Sequence, residues 1–475
     1  MSNSTNTQSI INETNVSEKT NSTENFTKKT IENLGNKVRL CDRDEENNLD
    51  LYCYVTCDNN SSESLKRCRG VVFNGENVVL HAFPYTDECE FNDTENVERI
   101  FKERIKIYDA YEGALIRMFY YKTKWYITTH RKLNAFESKW ASKQSFGTCF
   151  KQALYEDIKN NKKLADKLSG EESFLEKFQN TLNKNNQYMF IVRNTQYNRI
   201  VCIPPETASL FHVGTFVNNK LDLDDNIDVT KPKCHDFKNV EELQNYVKNV
   251  DYMKTQGLIV FTENNKQYKI LNDNYNELFN ARGNQPSINF RYLQVRMDKD
   301  MVDKLYYLYP EMTKNFEDYE EILYEVGKII YDSYVNRYIK KQYVSLPKEE
   351  FVVMKKCHSW HLENRRTNRM SINVVIDVMN EQYPTNLNRM IKRFRNNIRM
   401  KNNDKPLGNE NDNKQQPLIR NEYNNKQQPL IRNEYNNKQF TPKQQPLITN
   451  EYNNKQFTPK QQPLITNENN RKRRR

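Results

Sequence analysis

The sequence predicts an α+β fold: antiparallel sheets with flanking helices, then an all-helical domain, with unstructured tails at both ends. Three observations carry this expectation. Short runs rich in β-branched and aromatic residues, separated by turn residues, fill the stretch from Arg69 to Phe261. From about Asn289 the apolar residues recur at helical spacing. The two ends are rich in Asn, Ser, Thr, Gln and Lys, a composition that buries too little apolar surface to offset the entropy of ordering.

In chain order, residues 1–36 form a Ser/Thr/Asn-rich lead expected to lack structure. Residues 37–285 form the mixed core. Its strands are expected at Arg69–Phe73, Tyr108–Tyr120, Trp125–Thr129, Tyr188–Val192, Arg199–Ile203 and Leu258–Phe261. Residues 286–400 form the helical domain, with one apolar stripe on Ile322, Val326, Ile329 and Ile330 and another on Ile372, Val375, Ile376 and Met379. Residues 401–475 form a tail in which Lys-Gln-Gln-Pro-Leu-Ile begins at Lys414, Lys426, Lys443 and Lys460. Solenoid units are longer and carry more apolar positions, so this repeat reads as expansion of an unconstrained tail or as a peptide motif that docks protein partners.

At 475 residues the chain exceeds what a single core usually holds. The net charge of +11 is concentrated near Arg389–Lys401 and Arg471–Arg475, which allows an acidic partner such as RNA or DNA. Nine cysteines show no paired metal spacing: Cys53 and Cys57 are the closest pair, and Cys357, His358 and His361 form one local cluster expected to pack rather than bind metal. The odd cysteine count and the lack of a leader suggest a reducing, cytoplasmic setting, with the basic end as an alternative nuclear address. No apolar run approaches the roughly 20 residues of a membrane span. Abundant Asn, Lys, Ile and Tyr is what an AT-rich genome encodes.

Eleven glycines leave no GxxxxGK[ST] or GxGxxG loop, so a bound nucleotide would be held by side chains on strands. Three glycines fall in an informative order: Arg69-Gly70, Glu112-Gly113-Ala-Leu and Gln256-Gly257-Leu-Ile. Between and after them come Trp125-Tyr-Ile-Thr-Thr-His-Arg-Lys132, Phe190-Ile-Val with Asn198-Arg-Ile-Val201, and Lys269-Ile-Leu271. From about Val38 to Gln285 this order resembles the phage-type RNA ligases of the covalent nucleotidyltransferase superfamily. It is also similar to uncharacterised proteins of large cytoplasmic DNA viruses. The resemblance implies an RNA/DNA ligase-like core, a helical C-terminal domain, and ATP with Mg²⁺ as cofactors of any active form.

The same resemblance places Ala110 where the family keeps its nucleophilic lysine. That lysine's amine attacks the α-phosphate of ATP and must lie within about 3 Å of phosphorus. Lys106, four residues earlier on a strand, falls about 13 Å short. Ile191 and Gln256 occupy the positions of metal-binding carboxylates, and neither supplies the anionic oxygen Mg²⁺ prefers. Leu271 replaces the second lysine of the last motif. Arg69, Glu112, Lys132, Arg199 and Lys269 remain as candidate nucleotide-binding residues: the cations suit phosphate, and Glu112 suits a ribose hydroxyl. Arg117 and Arg131 flank them. Tyr108, Tyr111, Phe119, Tyr120, Tyr121 and Trp125 are candidates for base stacking, and Asn388–Arg395 for tracking a phosphate backbone. The expected function is a catalytically degenerate ligase-like protein that binds RNA or nucleotide. The alternatives are an active ligase or adenylyltransferase with a non-standard nucleophile, and a viral structural or scaffold protein. Oligomeric state is not legible.

Overall fold

The computed structural model describes residues 26–167, 173–195, 200–263 and 266–403, apart from the side chains of residue 167 and residues 401–403. The repeats, the basic end and residues 1–25 lie outside the described residues. Helix α1 (Lys28–Leu34) precedes a four-stranded antiparallel sheet in the order β1 (Val38–Asp44), β2 (Leu49–Tyr54), β3 (Arg69–Asn74), β4 (Asn77–Leu80), with α2 (Glu63–Arg67) between β2 and β3. α1 lies within the lead expected to lack structure. It is held there by Ile31, which joins Val38, Val71 and Phe73 in an apolar cluster, and by Lys28, whose ammonium donates to Tyr52 and Asp50.

The chain then gives β5 (Asp87–Glu90), α3 (Thr94–Lys102), β6 (Arg104–Asp109), β7 (Ala114–Tyr121), β8 (Lys124–Thr128), α4 (Phe146–Asn160), α5 (Lys162–Lys167) and α6 (Phe174–Thr181). Next come β9 (Gln187–Arg193), β10 (Ser209–Val217), β11 (Lys220–Asp222), β12 (Cys234–His235), α7 (Val240–Asn249), β13 (Gly257–Thr262) and β14 (Gln267–Leu271). Two five-stranded sheets result, β11-β10-β9-β7-β8 and β12-β6-β13-β14-β5, antiparallel except where β14 meets β5. An apolar cluster that includes Leu51, Val72, Tyr108, Phe119, Met189 and Phe261 draws side chains from all three sheets.

Helices follow: α8 (Asp273–Arg282), α9 (Ile288–Val295), α10 (Lys299–Leu308), α11 (Thr313–Tyr334), a π turn (Val335–Ile339), α12 (Lys348–Glu363), α13 (Ile372–Asn380) and α14 (Pro384–Asn403). The stripe expected on α11 is buried at Ile322, Val326 and Ile330, while Ile329 is exposed. Helical structure begins earlier than Asn289, because Tyr275 and Leu278 of α8 belong to the helical core. Val201, Cys202 and Leu271 join that same core. No helix among the described residues is long and apolar enough to cross a membrane.

Two expected strands differ. Tyr108–Tyr120 is broken at residues 110–113, where the chain leaves β6 in one five-stranded sheet and enters β7 in the other. Residues 200–203 form no strand despite their β-branched composition. Their backbone donors are taken by a side chain, as the site shows.

Candidate functional site

The crossover from β6 to β7 centres on Ala110, which is buried. Its N–H donates to the Gly257 carbonyl at 3.0 Å, and its carbonyl accepts from the Gln256 N–H at 2.9 Å and the Thr255 hydroxyl at 3.0 Å. Gly257 sits at φ +133°, and a Cβ there would lie 2.2 Å from the Ile270 carbonyl oxygen. Only glycine tolerates that approach. Leu271 pairs directly opposite Gly257, so Ala110, Gln256 and Leu271 adjoin through backbone bonds. Gly113 lets the turn close on the other sheet: a Cβ there would meet Ile191 Cγ2 at 2.6 Å and the Val192 carbonyl oxygen at 2.7 Å. The structure thus brings Ala110, Gln256, Leu271 and Ile191 to one seam between two sheets.

Glu112, a nucleotide-binding candidate, is engaged by the chain itself. Its carboxylate accepts from the N–H groups of Ile200 (2.5 Å), Val201 (2.9 Å) and Cys202 (3.0 Å), and from the Tyr275 hydroxyl (3.3 Å). Three main-chain donors and a phenol engage both oxygens, so the carboxylate holds residues 200–202 in place. Burial, then the Glu112 charge, pushes the Tyr275 phenol well above its usual range. The clasp extends into the helices: Tyr309 donates to the Ile200 carbonyl at 2.8 Å and accepts from Arg282 Nε at 2.8 Å.

Of the candidate cations, Arg69 and Lys269 come together. Arg69 donates to the Pro84 carbonyl (3.2 Å) and the Thr86 hydroxyl (3.4 Å). Lys269 keeps part of its side chain at the surface, yet desolvation of its ammonium lowers its pKa. Arg69 lowers it further, while Glu88 and Glu112 oppose. Lys269 makes no hydrogen bond or ion pair among the described residues. Lys132 is spent elsewhere, its ammonium 3.1 Å from Asp42 on β1. Arg199 lies outside the described residues.

Arg117 is fully buried and donates to the carbonyls of Gly70 and Thr129, tying β3 to the end of β8. Burial without a carboxylate partner brings its pKa down to about 9. Desolvation, with Arg69, Arg117 and Arg131, holds the His130 imidazole at about 3. Residue types alone gave no sign of a second cluster, on the strand face beside Ala110. Asp109 Oδ1 lies 2.8 Å from His235 Nε2 and accepts from the Tyr246 hydroxyl at 2.7 Å, while Oδ2 accepts from Tyr111 at 3.3 Å.

Among the stacking candidates, Tyr108 and Phe119 are buried, and Tyr111 already stacks on Phe211 with centroids 4.5 Å apart. Tyr120 and Trp125 meet edge-on. Lys106 pairs with Asp224 at 2.8 Å. The basic segment of α14 is largely neutralised: Arg389 pairs with Glu349, Arg393 with Glu349 and Glu350, and Arg395 with Asp318. Cys357 is a core residue, and His358 stacks on Tyr338. No three His, Cys, Asp or Glu side chains among the described residues converge in a way that would hold a metal ion.

Sequence and structure comparisons give the following likenesses. An immediate-early protein ICP-46 homolog of Invertebrate iridescent virus 6 is 32% identical over 371 residues, covering 72% of this chain and 80% of the relative. A protein of Autographa californica nuclear polyhedrosis virus, "Putative bifunctional polynucleotide kinase/RNA ligase", is 24% identical over 221 residues, covering 44% of this chain and 30% of that protein. Among solved structures, an archaeal ATP-dependent RNA ligase is similar at a TM-score of 0.32 and 9% identity, covering 57% of this chain and 65% of that one. No protein-family model matches the chain.

Proposed function

The chain belongs to the family of the viral immediate-early ICP-46 proteins, and from that premise we propose that its core is a ligase-like nucleotidyltransferase domain that binds RNA or nucleotide without forming a lysyl-adenylate. The observation that carries this reading is Ala110. A buried methyl group stands at the nucleophile position, with its backbone committed to residues 255–257. Covalent transfer needs an amine within reach of phosphorus. Lys106, the nearest lysine along the strand, is engaged by Asp224. Leu271, at the second lysine position, is part of the apolar core shared with the helices. Gln256 and Ile191 offer Mg²⁺ no carboxylate, so the seam does not fit the metal an active form would need.

Arg69 and Lys269 support retained binding. A desolvated ammonium that forms no ion pair among the described residues is unfavourable, and a phosphate placed against Lys269 and Arg69 satisfies both groups. The test is equilibrium binding of RNA and of ATP to the full chain and to Lys269→Met. The variant is expected to bind about tenfold or more weakly, the loss of one hydrogen bond to a charged group. Unchanged binding of both ligands contradicts the reading.

One observation favours a second reading, an active enzyme with a different nucleophile. The lowered pKa of Lys269 raises its neutral-amine fraction, the form that attacks phosphorus. An adenylate trapped on Lys269 would establish it.

A further inference from the structure

We infer that the helical part of the chain carries a second surface, distinct from the Ala110 seam, that binds single-stranded RNA through the loops following the π turn and α12. Lys340 and Lys341 leave the π turn exposed, and Arg365, Arg366 and Arg369 are exposed in the loop after α12. None of the five forms an ion pair among the described residues. Glu363, their neighbour in sequence, pairs with none of them. The contrast lies on α14, where Arg389, Arg393 and Arg395 each meet a carboxylate. Charge on the helical part is therefore neutralised on one segment and left open on another.

The two loops belong to one place. His358 on α12 stacks face to face on Tyr338 of the π turn, centroids 3.6 Å apart and 13° between planes. Its imidazole is depressed by burial and then by His361, Arg365 and Lys341, one cation from each loop and no acid. The loop after α12 is fixed at its far end: His361 Nδ1 lies 2.6 Å from the Asn368 carbonyl oxygen, and Asn368 donates to the Trp360 carbonyl at 2.7 Å. The cations are thus presented from an ordered frame, which limits the entropy lost on binding.

A phosphodiester strand fits this chemistry. Guanidinium and ammonium groups spaced along two loops neutralise successive phosphates. Tyr343, 91% exposed between them, offers a free ring to a base. Ile339, exposed beside these cations, is a single aliphatic side chain at the end of the π turn, where an amphipathic helix at a lipid interface presents a broad apolar face.

The experiment measures binding of a short mixed-sequence single-stranded RNA to the full chain by fluorescence anisotropy across a salt series. Arg365→Ser/Arg366→Ser/Arg369→Ser, all on exposed positions, is expected to weaken binding at least about tenfold and to reduce the salt slope by about 2, since each single-strand phosphate contact contributes about 0.7. Tyr343→Ser is expected to weaken binding about fivefold or more with the slope unchanged. A triple variant with wild-type affinity and slope overturns the inference. So does capture of the wild-type chain by phosphatidylserine vesicles, lost in the triple variant, while its RNA affinity stays the same. Lys269→Met in parallel separates the two surfaces: loss there alone leaves the seam standing and removes this site, and loss in the triple variant alone does the reverse.

Discussion

Glu112 accepts from three consecutive backbone N–H groups in a segment that forms no strand, so its removal deletes three charge-assisted hydrogen bonds at once. Glu112→Ala is expected to destabilise the chain by about 2–4 kcal/mol and to speed amide exchange at residues 200–202 first, measured by hydrogen–deuterium exchange. Gly257→Ala is expected to cost about 2–4 kcal/mol in chemical denaturation, because the Ile270 carbonyl stands where the methyl must go. His212 gives a pH signature. It is buried, and its Nε2 lies 2.9 Å from the Thr215 hydroxyl. Burial brings its pKa down from 6.5 to about 4. Below pH 6.5 the unfolded chain takes up a proton that the folded chain refuses, so stability is full above that pH and declines as pH falls toward 4, by on the order of 3 kcal/mol. Denaturation midpoints at pH 7 and pH 4.5 are expected to diverge in the wild type and to diverge less in His212→Asn, where His130, also depressed by burial, keeps a contribution of the same sign. At this scale the sequence was only partly legible. The motif order pointed to Ala110 as a position of interest, and Gly70, Gly113 and Gly257 were picked out by position. That Glu112 binds the backbone of residues 200–202 was not visible, because those partners lie about 90 residues away in the chain.

Strand composition located β3, β8, β9 and β13, where β-branched and aromatic residues pack on a pleated surface. The same signal misread residues 200–203, whose Ile-Val-Cys run is buried in the helical core instead of pairing in a sheet. It also merged β6 and β7, since Ala-Tyr-Glu-Gly gives no strong break and only the two sheets force the chain to cross there. On α14, the basic run was legible as charge, but its carboxylates on α11 and α12 are distant in sequence. β14 shows why a motif position changes character. Leu271 faces apolar side chains from α8 and the loop it supports. Leu271→Lys, which rebuilds the family pattern, is expected to lower stability by several kcal/mol by burying an unpaired ammonium, seen as a fall in thermal midpoint.

Across the whole molecule, three sheets share a core, and the seam between two of them gathers the replaced positions Ala110, Gln256, Leu271 and Ile191. On the proposed reading the four replacements remove three requirements of covalent nucleotidyl transfer: the nucleophile, the metal ligands (Ile191 and Gln256) and a phosphate contact. The proposed binding groups on the same framework are cationic: Lys269, without an ion pair among the described residues, and the five exposed cations of the two loops beside the π turn and α12. Incubating the full chain with ATP labelled on the α-phosphate, in Mg²⁺ and in Mn²⁺, and reading covalent label after denaturation tests this directly. A chain that binds RNA yet carries no label is the expected result, and an acid-labile adenylate on any lysine would contradict it.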